Sequence, residues 1–228
     1  MKRFELINSL IETFNYRRYL EIGVSVGDCF RQVRAVEKVG VDPCDSKEHI
    51  FVKPDEWYLN KINNSCTGVN IEDTARGYRC TSDEYFEKYV DGYFDIIFID
   101  GLHHSEQVDK DIRNALLWLN PYGTIVCHDL NPQKEEHQTI PIHPGIWNGD
   151  CWKSLVRLRL ASDIRGIEVF TVATDEGCGI IRFGKQEPLV LPDYVTKLEY
   201  RWLDKFRTDF LNLINVEQFR EWLDKQCT

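Results

Sequence analysis

The sequence predicts an α/β protein in which a mostly parallel sheet carries helices on both faces. Residues 18–43 have the pattern of a strand, a helix and a second strand, and a parallel pair of strands needs such a crossover. Near-continuous apolar runs at residues 93–99 and 124–127 are typical of central strands buried on both faces. A helical pattern separates these two runs, so the chain alternates strands with helices, as a parallel sheet requires.

Composition and charge narrow the class of partner. The 228 residues are 43% hydrophobic and 12% aromatic, which is enough for one substantial core. The formal net charge of −9 disfavours binding to nucleic acid or to an anionic membrane, because both need a basic protein surface. A small-molecule substrate is therefore favoured.

Residues 1–14 are predicted to form an amphipathic helix that leads into the first strand. Glu5 and Glu12 interrupt the apolar positions, so we expect no secretory signal, and no apolar run approaches the roughly 18 residues of a membrane span. The eight cysteines include no C-x-x-C pair, and reduced packing thiols are typical of cytoplasmic proteins. The predicted location is the cytoplasm.

The first strand ends in a turn that contains two glycines. Gly23 and Gly27 let the backbone turn sharply around Ser25 and approach a ligand closely. Asp42 follows the second strand, roughly twenty residues beyond the first glycine, where an acid accepts hydrogen bonds from ribose hydroxyls. The spacing Glu21-x-Gly23-x-x-x-Gly27 lacks the third glycine of G-x-G-x-x-G. It favours a nucleoside cofactor that has no phosphate to neutralise.

Polar residues follow both central strands directly. The central strand at residues 93–99 is followed by Asp100, His103 and His104. The central strand at residues 124–127 is followed by His128 and Asp129. Ligands of open α/β sheets bind outside the carboxyl ends of the strands. These side chains are therefore candidates for the chemistry of the protein.

The glycine turn and the strand ends together resemble the class I S-adenosylmethionine-dependent methyltransferases. The turn is similar to their E/D-x-G-x-x-x-G loop, and VDP at residues 41–43 to their ribose-binding motif. The block FDIIFIDGLHHSEQVDKDIRNALLWLNPYGTIVCHDLNP and GDCWK at residues 149–153 resemble the bacterial group called methyltransferase domain 24. The resemblance covers roughly residues 18–160. It implies a Rossmann-like, mostly parallel sheet of seven strands and S-adenosyl-L-methionine as cofactor.

The resemblance also implies roles for particular residues. Glu21 would fix the glycine loop or the amino group of the cofactor, and Asp42 would bind the ribose. Ser82, at the start of a predicted helix, is either a contact of the adenine or a helix cap. Asp100 would lie near the methionine tail or a metal. The expected cofactor-binding residues are Glu21, Gly23, Ser25, Gly27, Asp42, Ser82 and Asp100.

Methyl transfer to a hydroxyl sets the chemistry that the strand ends must supply. The acceptor must be held about 3 Å from the methyl carbon, away from water, and activated by a base or a metal. His103 is the expected base, His128 is the alternative imidazole, and Asp129 is the carboxylate partner. Alternatively, Asp100 and Asp129 would hold Mg²⁺. A third interpretation is that these residues only cap and hydrogen-bond the strand ends.

Downstream of the second central strand, residues 131–150 form an irregular segment rich in Pro and His, predicted to be a substrate-binding loop or lid. A helix is predicted at about residues 151–162. Strands at residues 166–172 and 179–184 are predicted to form an antiparallel hairpin that closes the sheet.

Residues 1–190 are predicted to form the methyltransferase-like domain. The amphipathic residues 191–228 are predicted to be a C-terminal helical extension, either packed on the same domain or serving as a homo-oligomer interface.

The predicted function is an S-adenosylmethionine-dependent methyltransferase that methylates a hydroxyl of a small molecule or of a sugar in a glycan. Two alternatives stay open. A nicotinamide-dependent sugar-modifying enzyme is disfavoured because the chain has neither G-x-G-x-x-G nor a Tyr-x-x-x-Lys pair on a suitable helix. A non-catalytic binding protein would keep the cofactor pocket only as a scaffold.

Overall fold

A computed structural model describes residues 1–43, 69–72, 74–142 and 144–226, and only the backbone of residues 69–72 and 164. The polar, irregular residues 44–77 are predicted from the sequence to carry a short helix and a strand, and most of this segment lies outside the described residues. His143 of the predicted lid lies outside them as well.

The described residues form one sheet of nine strands in the order β3-β4-β2-β1-β5-β6-β8-β7-β9. Its centre is parallel, with β4, β2, β1, β5 and β6 side by side. The predicted fold class is confirmed. The sheet has two more strands than the seven predicted, because the short β3 and β9 pair at its two edges. The strands are β1 (Arg18–Ile22), β2 (Glu37–Val41), β3 (Val69–Glu72), β4 (Ala75–Tyr78), β5 (Phe94–Ile99), β6 (Leu119–Cys127), β7 (Ile167–Val172), β8 (Cys178–Phe183) and β9 (Leu213–Ile214).

Helices cover both faces of this sheet. Alternate residues of a strand point to opposite faces, and in β5 Ile97 and Ile99 join one apolar core while Ile96 and Phe98 join the other. The first core is completed by α3, α4, α5 and α7, and the second by α1, α2 and α8. The helices are α1 (Arg3–Phe14), α2 (Asp28–Gln32), α3 (Ser82–Lys88), α4 (Ser105–Leu117), α5 (Trp152–Arg159), α6 (Ser162–Arg165), α7 (Tyr200–Leu211) and α8 (Val216–Gln226).

Details of the later elements differ from the prediction in two places. The predicted hairpin is present, since β7 and β8 pair antiparallel over six residue pairs. The helix predicted at residues 151–162 is two helices, α5 and α6, because Ala161 leaves helical geometry with φ −132° and ψ 26°. The Asn-Pro-Tyr-Gly segment at residues 120–123, predicted from the sequence to terminate the helix before it, lies in the first half of β6, where the pairing with β5 shifts register. No helix among the described residues has the length and apolar character to cross a membrane.

Candidate active site

The glycine turn brings the ends of β1 and β5 into direct contact. Gly23 has φ +86°, and a Cβ at this position would lie 2.1 Å from the carbonyl oxygen of Asp100. Any side chain would therefore drive the two strand ends apart. Gly27, with φ +83°, is the N-cap residue that precedes α2. The turn after β1 and the chain after β5 thus form one wall at the carboxyl edge of the sheet.

Asp42 connects the end of β2 to this turn. Its side chain is buried, and its Oδ2 accepts a hydrogen bond of 2.7 Å from the backbone N–H of Ser25. Ser25 has φ +49°, a conformation that an L residue keeps only where its surroundings hold it. Asp42 therefore fixes the turn, at the position where the resemblance expects a ribose ligand.

Glu21 lies beneath the turn, within β1. It is 1% exposed and accepts a hydrogen bond from the hydroxyl of Tyr19. Burial raises the pKa of Glu21 to about 8, although the bond from Tyr19 acts in the opposite direction. The carboxyl group is consequently protonated at neutral pH and has a proton to donate.

Ser82 occupies the first turn of α3, but it is not the cap of that helix. The cap is Thr81, whose Oγ1 accepts from the N–H of Glu84 at 3.2 Å. The hydroxyl of Ser82 is buried and accepts from Nε2 of Gln107 on α4 at 3.2 Å. The described contacts of Ser82 thus bind α3 to α4.

The polar residues at the ends of β5 and β6 form one charged cluster. His103 places Nε2 at 3.4 Å from Asp100 Oδ1 and at 3.3 Å from Asp129 Oδ2. His128 places Nδ1 at 3.3 Å and 3.0 Å from the same two carboxylate oxygens. The structure therefore brings the predicted base, its alternative and both predicted carboxylates together. His104, by contrast, is the N-cap residue that precedes α4, and its ring has an edge contact with Trp147.

Two further charged residues join the cluster, and the sequence analysis missed both. Arg3, at the start of α1, donates from Nη1 to Asp100 Oδ2 at 2.6 Å and from Nε to Asp175 Oδ2 at 3.0 Å. Asp175 lies in the turn between β7 and β8. The sequence offered no motif for either residue, because they are 172 positions apart.

Opposite charges hold one another in their ionised forms within the cluster. Burial opposes ionisation of Asp100, but His128, His103 and Arg3 outweigh it and lower its pKa well below the usual range. Burial also opposes the charged form of His128, yet Asp129 and Asp100 raise its pKa well above the ordinary value. The pKa of His103 is raised in the same way, against burial, by Asp129 and Asp100.

The returning end of the predicted lid holds His103 in place. The ring of Trp147 stacks on the imidazole of His103, with centroids 4.9 Å apart and planes 20° apart. The carbonyl oxygen of Trp147 lies 3.3 Å from His103 Nδ1. A Cβ on Gly149 would lie 1.8 Å from the backbone oxygen of His103, so only glycine fits there. The lid end thus packs directly on the candidate base.

Asn148 and Asp150, which follow Trp147 closely in the chain, also contact residues near the charged cluster. Asn148 is buried and donates from Nδ2 to Asp129 Oδ1 at 2.7 Å. Asp150 accepts from the backbone N–H of Ser105 at 2.6 Å, at the first residue of α4. Neither contact has a sequence signal beyond the motif at residues 149–153, because each joins segments that are distant in the chain.

Three residues of the cluster can hold a metal ion. Asp100, His103 and Asp129 each offer one ligand atom, and these atoms lie within 4.8 Å of one another. A donor set of one imidazole and two carboxylates fits a first-row transition metal better than Mg²⁺, which prefers oxygen ligands alone. Arg3 already supplies one positive charge to the other oxygen of Asp100.

Comparison with known proteins gives one family-model match, one curated relative and many similar folds. The family model described as Methyltransferase domain matches residues 20–130, just under half of the chain. A curated relative, the uncharacterized protein y4gI of Sinorhizobium fredii, is 26% identical over 158 residues. That match covers 66% of this chain and only 16% of the relative, so this chain spans a small part of that protein's length.

The solved structures that are similar share the fold. A putative caffeoyl-CoA O-methyltransferase from Staphylococcus aureus has a TM-score of 0.56 and 16% identity, over 79% of this chain and 82% of that one. The O-methyltransferase TomG from Streptomyces achromogenes, in complex with SAM, has a TM-score of 0.53 and 16% identity, over 80% and 79%. An O-methyltransferase from Bacillus cereus in complex with SAH has a TM-score of 0.51 and 15% identity, over 78% of each chain.

At such identities these structures establish the fold alone, and the family-model match adds a sequence similarity to it. The match spans β1 to the residues just after β6, which include the glycine turn and the ends of both central strands. The resemblance predicted from the sequence is confirmed: residues 20–130 match the methyltransferase-domain model, and the described residues have the fold of these O-methyltransferase structures.

Proposed function

We propose that this protein is an S-adenosyl-L-methionine-dependent O-methyltransferase that acts on a hydroxyl of a small molecule or of a sugar in a glycan. The observation that carries the proposal is the position of His103 between the carboxylates of Asp100 and Asp129, beside the glycine turn that Gly23 forms against Asp100. The names of the similar structures support methyl transfer to oxygen, and two of them bind SAM or SAH.

In this proposal the carboxyl edge of the sheet binds the nucleoside cofactor. Asp42 and the turn at Ser25 take the ribose, since they are already joined by a hydrogen bond. Gly23 and Gly27 give the backbone room to approach the ligand, and Glu21 supports the turn from below. Ser82 takes the adenine side. When bound, S-adenosylmethionine supplies the methyl group that passes to the acceptor oxygen as its carbon–sulfur bond breaks.

His103 acts as the base that removes the proton of the acceptor hydroxyl. Its Nδ1 lies against the carbonyl oxygen of Trp147, so Nε2 is the nitrogen that receives the proton. Burial lowers the pKa of His103, but Asp129 and Asp100 outweigh that effect and raise it. A raised pKa strengthens the base once it is neutral, and it confines the neutral form to pH values above the ordinary imidazole range. Methyl transfer is therefore expected to increase from neutral to alkaline pH.

A divalent cation is the second candidate for activating the hydroxyl. The arrangement of Asp100, His103 and Asp129 within 4.8 Å favours it. A bound cation there would lower the pKa of a hydroxyl that it contacts. Stabilisation by Mn²⁺ but not by Mg²⁺ in thermal unfolding would favour this candidate over the unassisted base.

The proposal also assigns roles to two segments of the chain, residues 131–150 and residues 191–228. Residues 131–150 serve as the lid over the acceptor, because their returning end contacts both His103 and Asp129. Residues 191–228 form an extension of the domain at residues 1–190, and a homo-oligomer interface on this extension is the alternative role.

Calorimetric titration with S-adenosylhomocysteine, in parallel with NAD, tests the cofactor. We expect micromolar binding of S-adenosylhomocysteine alone, weakened about ten-fold or more by Asp42→Ala because the ribose contact is lost. Asp224→Ala, on the exposed side of α8, is the control and should bind as the wild type does. Binding of NAD alone would support a nicotinamide-dependent enzyme, and binding of neither ligand would refute the proposal.

A further inference from the structure

The N-terminal helix carries an arginine into the candidate active site. Arg3 donates from Nη1 to Asp100 Oδ2 and from Nε to Asp175 Oδ2. Its side chain remains 32% exposed, whereas those of Asp100 and Asp175 are 13% and 10% exposed. The guanidinium is therefore anchored on one side and reachable by a ligand on the other.

The fold fixes Arg3 through its backbone as well as its side chain. The backbone N–H of Arg3 donates to Asp175 Oδ2 at 2.8 Å, and the hydroxyl of Thr174 donates to the carbonyl oxygen of Met1. Lys2 adds an ion pair of 3.6 Å with Asp175. The turn between β7 and β8 thus holds the start of α1, so little conformational entropy is lost when Arg3 binds a ligand.

Arg3 reaches the site next to the glycine turn. Its partner Asp100 touches Gly23 through the backbone, and the charge of Arg3 lowers the pKa of Glu21, although burial dominates that group. Asp100 and Glu21 are the residues expected at the amino-acid tail of the cofactor. An anion entering beside the ionised carboxylate of Asp100 would be repelled unless a cation faced it.

We propose that Arg3 and Asp100 together bind the zwitterionic amino-acid tail of S-adenosylmethionine. The inference rests on the proposed function, since it assumes that cofactor. Asp100 accepts hydrogen bonds from the α-ammonium group, and the guanidinium of Arg3 donates to the α-carboxylate. Within the described residues Arg3 uses Nε and Nη1 for its contacts, so Nη2 is the atom that meets the carboxylate. A planar guanidinium suits a carboxylate because it offers several donors in a fixed arrangement.

The test compares two ligands that differ only in this carboxylate. S-adenosylhomocysteine and its decarboxylated analogue, which keeps the ammonium group, are titrated calorimetrically into the wild type and into Arg3→Gln. The wild type should prefer S-adenosylhomocysteine by about ten-fold or more, and Arg3→Gln should lose that preference. Arg34→Gln is the matched control. Arg34 pairs with Glu12 of α1, the helix that begins at Arg3, but this pair lies on the surface, with both side chains more than 60% exposed.

Each outcome bears on one of the two proposals. Equal preference for S-adenosylhomocysteine in the wild type and in Arg3→Gln would overturn the role of Arg3 while leaving the cofactor assignment intact. Equal weakening of both ligands in Arg3→Gln would overturn it too, because a loss of anchoring at α1 does not distinguish the carboxylate. Absence of S-adenosylhomocysteine binding to the wild type would refute the proposed function itself. Arg3→Lys, which keeps the charge, should restore part of the preference.

Discussion

The glycine turn and the charged cluster lie side by side at one edge of the sheet, yet they are assembled in opposite ways. The turn comes from one continuous stretch, in which Asp42 bonds to Ser25 only 17 positions away. The cluster is drawn from distant segments, and its link between Arg3 and Asp175 spans 172 positions. Backbone geometry specifies the turn, whereas charge pairing specifies the cluster. Substitutions in the two regions should therefore fail in different ways.

The largest effect is expected at Gly23, where the two regions touch. Gly23→Ala adds a Cβ within 2.1 Å of the backbone oxygen of Asp100, in a residue with φ +86°. Strain and overpacking together should lower the free energy of unfolding by about 5 kcal/mol. S-adenosylhomocysteine binding should be lost with it. Urea unfolding monitored by circular dichroism measures the loss.

Gly145→Ala is the matched control for this substitution. Gly145 also has positive φ, +101°, but nothing lies within 4 Å of its Cβ position. It should cost only about 1 kcal/mol, from backbone conformation alone. Equal losses in the two variants would mean that the contact between Gly23 and Asp100 does not hold the strand ends together.

The same contrast explains what the sequence could predict. The turn was predicted because Gly23, Gly27 and Asp42 act through short-range spacing, which the sequence displays directly. Asp100 and Asp129 were predicted because each follows an apolar strand. Arg3 carried no such signal, since only the packing of α1 against the turn between β7 and β8 brings it to Asp100. A motif reports on local geometry, whereas a charge partner depends on the whole topology.

Burial in the turn region predicts a pH-dependent stability. Glu21 has its pKa raised by burial from 4.5 to about 8, so the folded chain keeps a proton that the unfolded chain releases. Its contribution to stability is full below about pH 4.5 and is lost as the pH rises to about 8. The slope approaches 1.4 kcal/mol per pH unit, or about 3 kcal/mol between pH 5 and pH 7. Glu21→Gln should remove that loss, which urea unfolding across this pH range measures.

Glu37→Gln provides the comparison for the pH effect. Glu37 begins β2, and its side chain is 66% exposed, so its carboxylate stays hydrated in both states. The pH slope should survive in Glu37→Gln. A wild-type stability that does not fall between pH 5 and pH 7 would show that Glu21 is ionised in the fold.

The smallest effect is expected within the cluster, at Asn148. Among the described residues, two asparagine amides donate to aspartates near opposite ends of β5 and β6. Asn148 donates to Asp129 beyond the carboxyl ends, at 2.7 Å, and Asn120 donates to Asp95 near the amino ends, at 2.5 Å. Asn148 is fully buried, so Asn148→Ala should cost about 2 kcal/mol, against about 1 kcal/mol for the partly exposed Asn120→Ala.

The NMR resonances of His103 should distinguish the two variants more clearly than their free energies of unfolding do. Asp129 contacts His103 at 3.3 Å, so loss of the amide that holds Asp129 should shift the imidazole resonances of His103 in NMR spectra. Asn120→Ala should leave those resonances in place, because Asp95 lies at the opposite end of β5. If both variants shifted them equally, the cluster would respond to the general stability of the sheet. If only Asn148→Ala shifts the His103 resonances, side chains from distant segments set the environment of the base directly. The returning end of the lid, which carries Asn148, is then part of the candidate active site.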